Sequence, residues 1–217
     1  MNITWYGHSC FKLQSKDVTL ITDPFDKETG LKPPSGVADI ITISHESGSH
    51  NNRETARGEV FIIDGPGEYE KKTVVIRGIE SDLNKEEGGI EGGNTIYAIT
   101  LEDLRICHLG DLNQKSLTAE QLKVIGEVDI LFIPVGGIST IDGKEAEAVI
   151  AQIEPRVIVP MHYKIAGVKG ELAQLDDIKV FSSNHNLDPQ VTVPKISIKK
   201  KDLPEEGSQY IIMDLGK

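Results

Sequence analysis

Hydrophobic residues along this chain come mostly in short runs rich in Val, Ile and Thr, separated by Gly, Pro, Asn and Asp. The runs cover 3–6, 10–13, 18–22, 40–44, 60–64, 73–79, 95–101, 105–109, 130–134, 157–160 and 178–182. They are too short for helices and carry β-branched side chains, so each predicts a strand. Helix signals are fewer. Thr118-Ala-Glu-Gln121 is a capping-box pattern that opens a helix running to about Gly126. Asp142-Gly-Lys-Glu145 opens a second, with Ala146, Val149, Ile150 and Ile153 at helical spacing and Pro155 ending it. A short third helix is expected over 51–57. A block of strands followed by alternating strands and helices predicts an α/β protein, a layered sheet sandwich with helices outside.

No stretch reads as an interdomain linker, so 1–217 is expected to be one domain, with strands from about 191 to 217 closing the sheet. The polar, glycine-rich segment 81–93 reads as a surface loop. Lys199-Lys200-Lys201 and the acidic residues after it read as a solvated turn between two closing strands. A net charge of −11 argues against a general nucleic-acid or membrane binder. Cys10 and Cys107 form no C-x-x-C motif and read as small buried fillers in a protein of a reducing compartment. No basic segment followed by an apolar one opens the chain, and no run reaches the ~18 apolar residues of a membrane helix. The expected location is the cytoplasm.

Candidate chemistry gathers where predicted strands end. Asp23 ends 18–22, His45 ends 40–44, Asp111 follows 105–109, and His162 follows 157–160. Side chains at strand ends are held rigidly while the loops beyond them shape a pocket. A lone histidine at such a place is more often structural; several in one small chain point to a metal site.

These residues carry a resemblance. The landmarks are Gly7-His8-Ser9-Cys10-Phe11, Thr22-Asp23-Pro24, residues 44–52, Gly65-Pro66-Gly67-Glu68-Tyr69, Asn94-Thr95-Ile96-Tyr97, His108-Leu109-Gly110-Asp111, Pro134-Val135-Gly136-Gly137 and Pro160-Met161-His162-Tyr163. In this order, over nearly the whole chain, they resemble the metallo-β-lactamase-fold hydrolases. The branch is that of small bacterial zinc-dependent hydrolases related to ascorbate-phosphate lactonases. The resemblance implies a four-layer αββα sandwich. The family motif H-x-H-x-D-H is degenerate here: His45-Glu46-Ser47-Gly48-Ser49-His50 has Ser47 at the second His and Ser49 at the Asp. By resemblance, Asp111 is the carboxylate that bridges two metals and His162 the histidine near the C-terminus. The family's further histidine, from a later loop, has no counterpart, because no histidine lies between His50 and His108. Glu68, Glu80 and Asp82 are the nearby carboxylates.

One metal position therefore keeps only His45 and Asp111, and the other keeps His50, Asp111 and His162. Two histidines and a carboxylate make a reasonable mononuclear site, for Zn²⁺ first, with manganese or iron as alternatives. His45, His50, Asp111 and His162 are the expected ligands. Asp111 is the expected catalytic group, orienting water for attack on an ester, lactone, amide or phosphoester of a small-molecule substrate. His8 and Glu68 are candidates to face the substrate or the metal shell, and Asp23 to position the histidine loop. His108 is expected to be structural, on strand parity opposite to Asp111, and His185 to be a loop residue. The rival expectation is a domain that has lost its metal and its catalysis and serves as a binding or scaffolding protein. A nucleic-acid-processing role is disfavoured for want of a basic segment, and a homo-oligomer is left open.

Overall fold

The computed structural model describes residues 1–81 and 93–216. The strands are β1 (Asn2–Gly7), β2 (Cys10–Gln14), β3 (Thr19–Thr22), β4 (Gly36–Val37), β5 (Ile40–Thr42), β6 (Ala56–Arg57), β7 (Phe61–Ile63), β8 (Gly67–Lys71), β9 (Val74–Ser81), β10 (Asn94–Leu101) and β11 (Leu104–His108). There follow α1 (Ala119–Ile125), β12 (Ile130–Pro134), α2 (Gly143–Ile153), β13 (Val157–Met161), α3 (Ile178–Asn184), β14 (Ile196–Ser197) and β15 (Gln209–Tyr210). Among the described residues they build a six-stranded sheet, β14-β1-β2-β3-β5-β7, and a seven-stranded sheet, β15-β13-β12-β11-β10-β9-β8. β4 and β6 form a separate ribbon.

Period-two alternation sorts the apolar residues of the first sheet. Phe11, Leu13, Leu20 and Ile40 enter the large core between the sheets, whereas Cys10, Ile21 and Ile41 join a smaller cluster with Phe25, Leu31 and Ile43. Phe11 stacks on Phe132 at 4.0 Å between ring centroids, tying the two sheets together. Burying a ring of this size contributes roughly 1.5–3 kcal/mol. β12 and β13 are buried along their whole length, as parallel central strands are when both faces are covered. α1 packs on β9 and β10, α2 on β12, and α3 on α2. Both capping boxes form: Thr118 Oγ1 accepts from Gln121 N while Gln121 accepts from Thr118 N, and Asp142 and Glu145 do the same for α2. No helix among the described residues is long and apolar enough to cross a membrane. Both cysteines are buried and free.

Three local expectations need correction. Residues 178–182 form helix α3, because Asp177 caps it by accepting from Lys179 N, and its Phe181 is fully buried. The cap outweighs the β-branched composition. In place of a helix over 51–57 there is a 3₁₀ turn, Arg53–Thr55, followed by β6; Asn52 makes no cap, its side-chain amide donating instead to Phe25 O at 2.9 Å. Gly67–Lys71, outside every expected run, pairs with β9 as strand β8. The loop expected over 81–93, with Asp82, lies outside the described residues apart from its two ends. The basic run lies in and beside the 3₁₀ turn Lys200–Asp202 between β14 and β15, with Lys200 2.7 Å from Asp129.

β3 and β5 run parallel in one sheet, and β11, β12 and β13 run parallel in the other. The C-terminal ends of β3, β5, β11 and β13 meet at one edge of the sandwich, and the residues that follow them form the site.

Candidate metal centre

Asp23 follows β3 in the left-handed region (φ 39) and is fully buried. Its Oδ1 accepts from Ser44 N at 2.7 Å, and its Oδ2 accepts from Ser44 Oγ at 2.6 Å and from His50 Nδ1 at 2.9 Å. An ionised carboxylate only accepts, so the single Ser44 hydroxyl proton points at Asp23. Ser44 Oγ therefore offers a lone pair to His45 Nδ1, 3.0 Å away. Both histidines thus carry a proton on Nδ1 and aim Nε2 away from Asp23. Burial opposes charge on His50, but Asp111 and Asp23 outweigh it and push its pKa up to about 10. The gap between His50 Nε2 and Asp111 attracts positive charge. His45 is pushed down to about 4 by burial and then by His50.

Asp111 Oδ2 is the focus of the cluster, 3.1 Å from His162 Nε2, 3.3 Å from His50 Nε2 and 3.9 Å from His45 Nε2. Burial alone would raise its pKa; His162 and His50 outweigh it and hold the carboxyl well below the usual range. Its backbone is fixed from behind. Asp111 N donates to Asn94 Oδ1 at 2.9 Å, and Asn94 Nδ2 donates to Leu109 O at 3.0 Å. Gly110 must be glycine: its φ is 56, and a Cβ would lie 2.2 Å from Asn94 Oδ1.

His8 and His162 both adopt left-handed backbone, each with φ 53, and are joined by His162 N donating to His8 O at 3.2 Å. Trp5 Nε1 donates to the same carbonyl at 3.0 Å. The His8 ring lies 4.5 Å from that of His50 and 4.2 Å from that of His162. One ligand atom from each of His8, His50, Asp111 and His162 lies within 4.8 Å of the other three. Both His8 ring nitrogens, His50 Nε2 and His162 Nδ1 are buried with no hydrogen-bond partner among the described residues. One ring nitrogen from each of three histidines beside a buried carboxylate suits a divalent cation, whose ligands are neutral imidazoles and carboxylates. The cluster opens into a cleft of about 300 Å³, lined also by His45, Ser47, Ser49, Ile138, Leu172 and Leu175.

Residues 2–162 match the model of the β-lactamase superfamily domain. The chain belongs to the metallo-β-lactamase superfamily. A UPF0173 protein of Pyrococcus abyssi is 34% identical over 192 residues, spanning 77% of this chain and 85% of that protein. A UPF0173 metal-dependent hydrolase of Methanopyrus kandleri is 27% identical, spanning 75% and 84%. Among solved structures, one from Thermotoga maritima, described as a candidate zinc-dependent hydrolase of this superfamily, is 33% identical with a TM-score of 0.78 and covers 98% of this chain and 97% of that one. The two-sheet α/β sandwich is the metallo-β-lactamase fold.

Within that fold the structure brings His8, Asp23, His45, His50, Asp111 and His162 together. Ser47 and Ser49, at the motif's second His and its Asp, bond to each other, Oγ to Oγ at 2.9 Å. Glu68 stands apart on the exposed face of β8, 3.3 Å from Arg77. Glu80 is exposed on β9, outside the cluster. His108 accepts from Gly110 N on Nδ1, so its Nε2 donates to Ser9 O at 2.8 Å, linking the sheets. His185 ends α3 and stacks on Tyr210. Sequence reasoning missed Ser44 and Asn94 as positioning groups. Ser44 stands directly before His45 at a strand end, which was the available signal, whereas Asn94 offered none.

Proposed function

We propose that this chain is a metal-dependent hydrolase that holds one divalent cation through His50, Asp111 and His162. The observation that carries this reading is the gathering of ring nitrogens of His8, His50 and His162 around the buried Asp111 carboxylate beside an open cleft. The relatives described as metal-dependent hydrolases support it. Zinc suits this donor set best, with manganese and iron as alternatives. A cation there supplies Lewis acidity and a nucleophile available at neutral pH. The chain's own residues do the rest. Asp111, anchored through Asn94, orients water at the cluster. Asp23 holds the His50 ring and, through the Ser44 hydroxyl, the His45 ring. His45, with a neutral ring, offers an acceptor nitrogen at the cleft wall.

The cleft also bears on the substrate. Ile138, Leu172 and Leu175 give it an apolar part, Glu46 and Glu171 add acidic groups, and no lysine or arginine lines it among the described residues. That lining favours a small, uncharged ester, lactone or amide over a phosphoester, whose charge would find no cationic partner. The test is a panel of chromogenic esters, lactones, amides and phosphodiesters with metal-loaded wild type and Asp111→Ala. Carbonyl hydrolysis lost in the variant is the expected result. Full activity in Asp111→Ala would place the chemistry elsewhere. No turnover of any substrate by metal-loaded wild type would favour a binding domain over an enzyme.

A further inference from the structure

We infer that His8, and not His45 of the inherited motif, is the fourth protein ligand of the cation. This inference rests on the single-cation reading above and concerns which ring completes its shell.

The two histidines differ in what their ring nitrogens already do. His45 Nδ1 is engaged by Ser44 Oγ at 3.0 Å, and its Nε2 stays 3.9 Å from the nearer Asp111 oxygen. His45 is not among the four residues whose ligand atoms all lie within 4.8 Å of one another. His8 is inside that group. Its ring is buried and neither nitrogen meets a hydrogen-bond partner among the described residues. A buried imidazole with no partner bears a desolvation cost that nothing offsets. A cation uses one of those nitrogens and removes that part of the cost. The four groups lie within 4.8 Å of one another, close enough to face one cation, and a shell that expands to five-coordinate keeps a position for water.

The backbone gives a second, independent argument. His8 stands at the β1–β2 turn with φ 53, directly after Gly7 at φ 106. A Cβ at Gly7 would meet Leu31 Cδ1 at 2.6 Å, so the turn is held tightly against its surroundings. A non-glycine residue in the left-handed region is uncommon and strained. Here the conformation is secured by two donors on the His8 carbonyl, Trp5 Nε1 and His162 N. The second of these joins His8 directly to another member of the cluster. Strain secured this way keeps the ring between His50 and His162. Where the motif's second His and its Asp are Ser47 and Ser49, His8 supplies a ligand from the β1–β2 turn.

The test is competitive titration of Zn²⁺ against a chromophoric chelator with wild type, His8→Gln and His45→Gln, with circular dichroism to check folding. His8→Gln should weaken Zn²⁺ binding on the order of 100-fold or more, beyond the ~10–100-fold typical of an outer partner. His45→Gln should stay close to wild type. The reverse pattern would overturn the assignment and leave the single-cation reading standing, whereas no Zn²⁺ binding by wild type would overturn that reading itself. If His8→Gln does not fold, ¹¹³Cd-loaded protein decides. Three histidine rings should couple to cadmium in wild type, and all three should remain coupled in His45→Gln. Loss of one in that variant would refute the role given to His8.

Discussion

The two ends of the segment His45-Glu46-Ser47-Gly48-Ser49-His50 have had different fates. At one end His50 is fully buried between two carboxylates, with Asp23 fixing one ring nitrogen and Asp111 facing the other. At the other, Ser47 and Ser49 are partly exposed, bond to each other and line the cleft. A metal ligand whose ring is positioned from behind by a buried carboxylate cannot be replaced without leaving that carboxylate unpaired. Ligands facing the cleft were replaceable, because two small hydroxyls satisfy each other. The difference is the reason we propose for a single cation position in a chain whose motif carries Ser47 and Ser49.

The comparison can be broken most sharply by restoring the lost end. Ser47→His combined with Ser49→Asp should raise bound Zn²⁺ from about one to about two per chain by elemental analysis. An unchanged content would mean that the cleft side no longer has the geometry for a second ion. Asp23→Ala attacks the preserved end and should cost about 3–5 kcal/mol in denaturant unfolding, because a buried pair is broken. It should also weaken metal binding ~10–100-fold in the same chelator competition. Asn94→Ala leaves Asp111 N without its acceptor and should cost about 1–3 kcal/mol, read in the same unfolding experiment. Ser44→Ala removes only the hydroxyl relay to His45. A loss of about 1 kcal/mol with unchanged metal content is expected. Lost metal in Ser44→Ala would make His45 a ligand after all.

Much of this was legible in the chain. Asp23, His45, Asp111 and His162 each follow an apolar run. Parallel pairing of β3 with β5 and of β11 through β13 carries them to one edge. The capping boxes at Thr118 and Asp142 announced α1 and α2. What escaped depended on backbone direction and on contacts between the sheets. His8 was a candidate to face the substrate or the metal shell, but its closeness to His50 and His162 follows from φ 53 and from the His162 amide that holds its carbonyl. Asn94 opens a strand as an ordinary polar residue, and only the fold brings it behind Asp111. α3 was hidden because Ile178, Val180 and Phe181 look like a strand until Asp177 is recognised as a cap. The two-residue strands β4, β6, β14 and β15 leave no periodic trace at all.

The most direct test of a surviving one-cation centre is the metal content of wild-type protein dialysed against Zn²⁺ or Mn²⁺ and washed, read together with its thermal unfolding. The account predicts about one ion per chain and an upward shift of the midpoint, with stabilisation of about 2.7 kcal/mol when free metal is 100-fold above its Kd. Protein that retains no ion and shows no shift with either metal would contradict it.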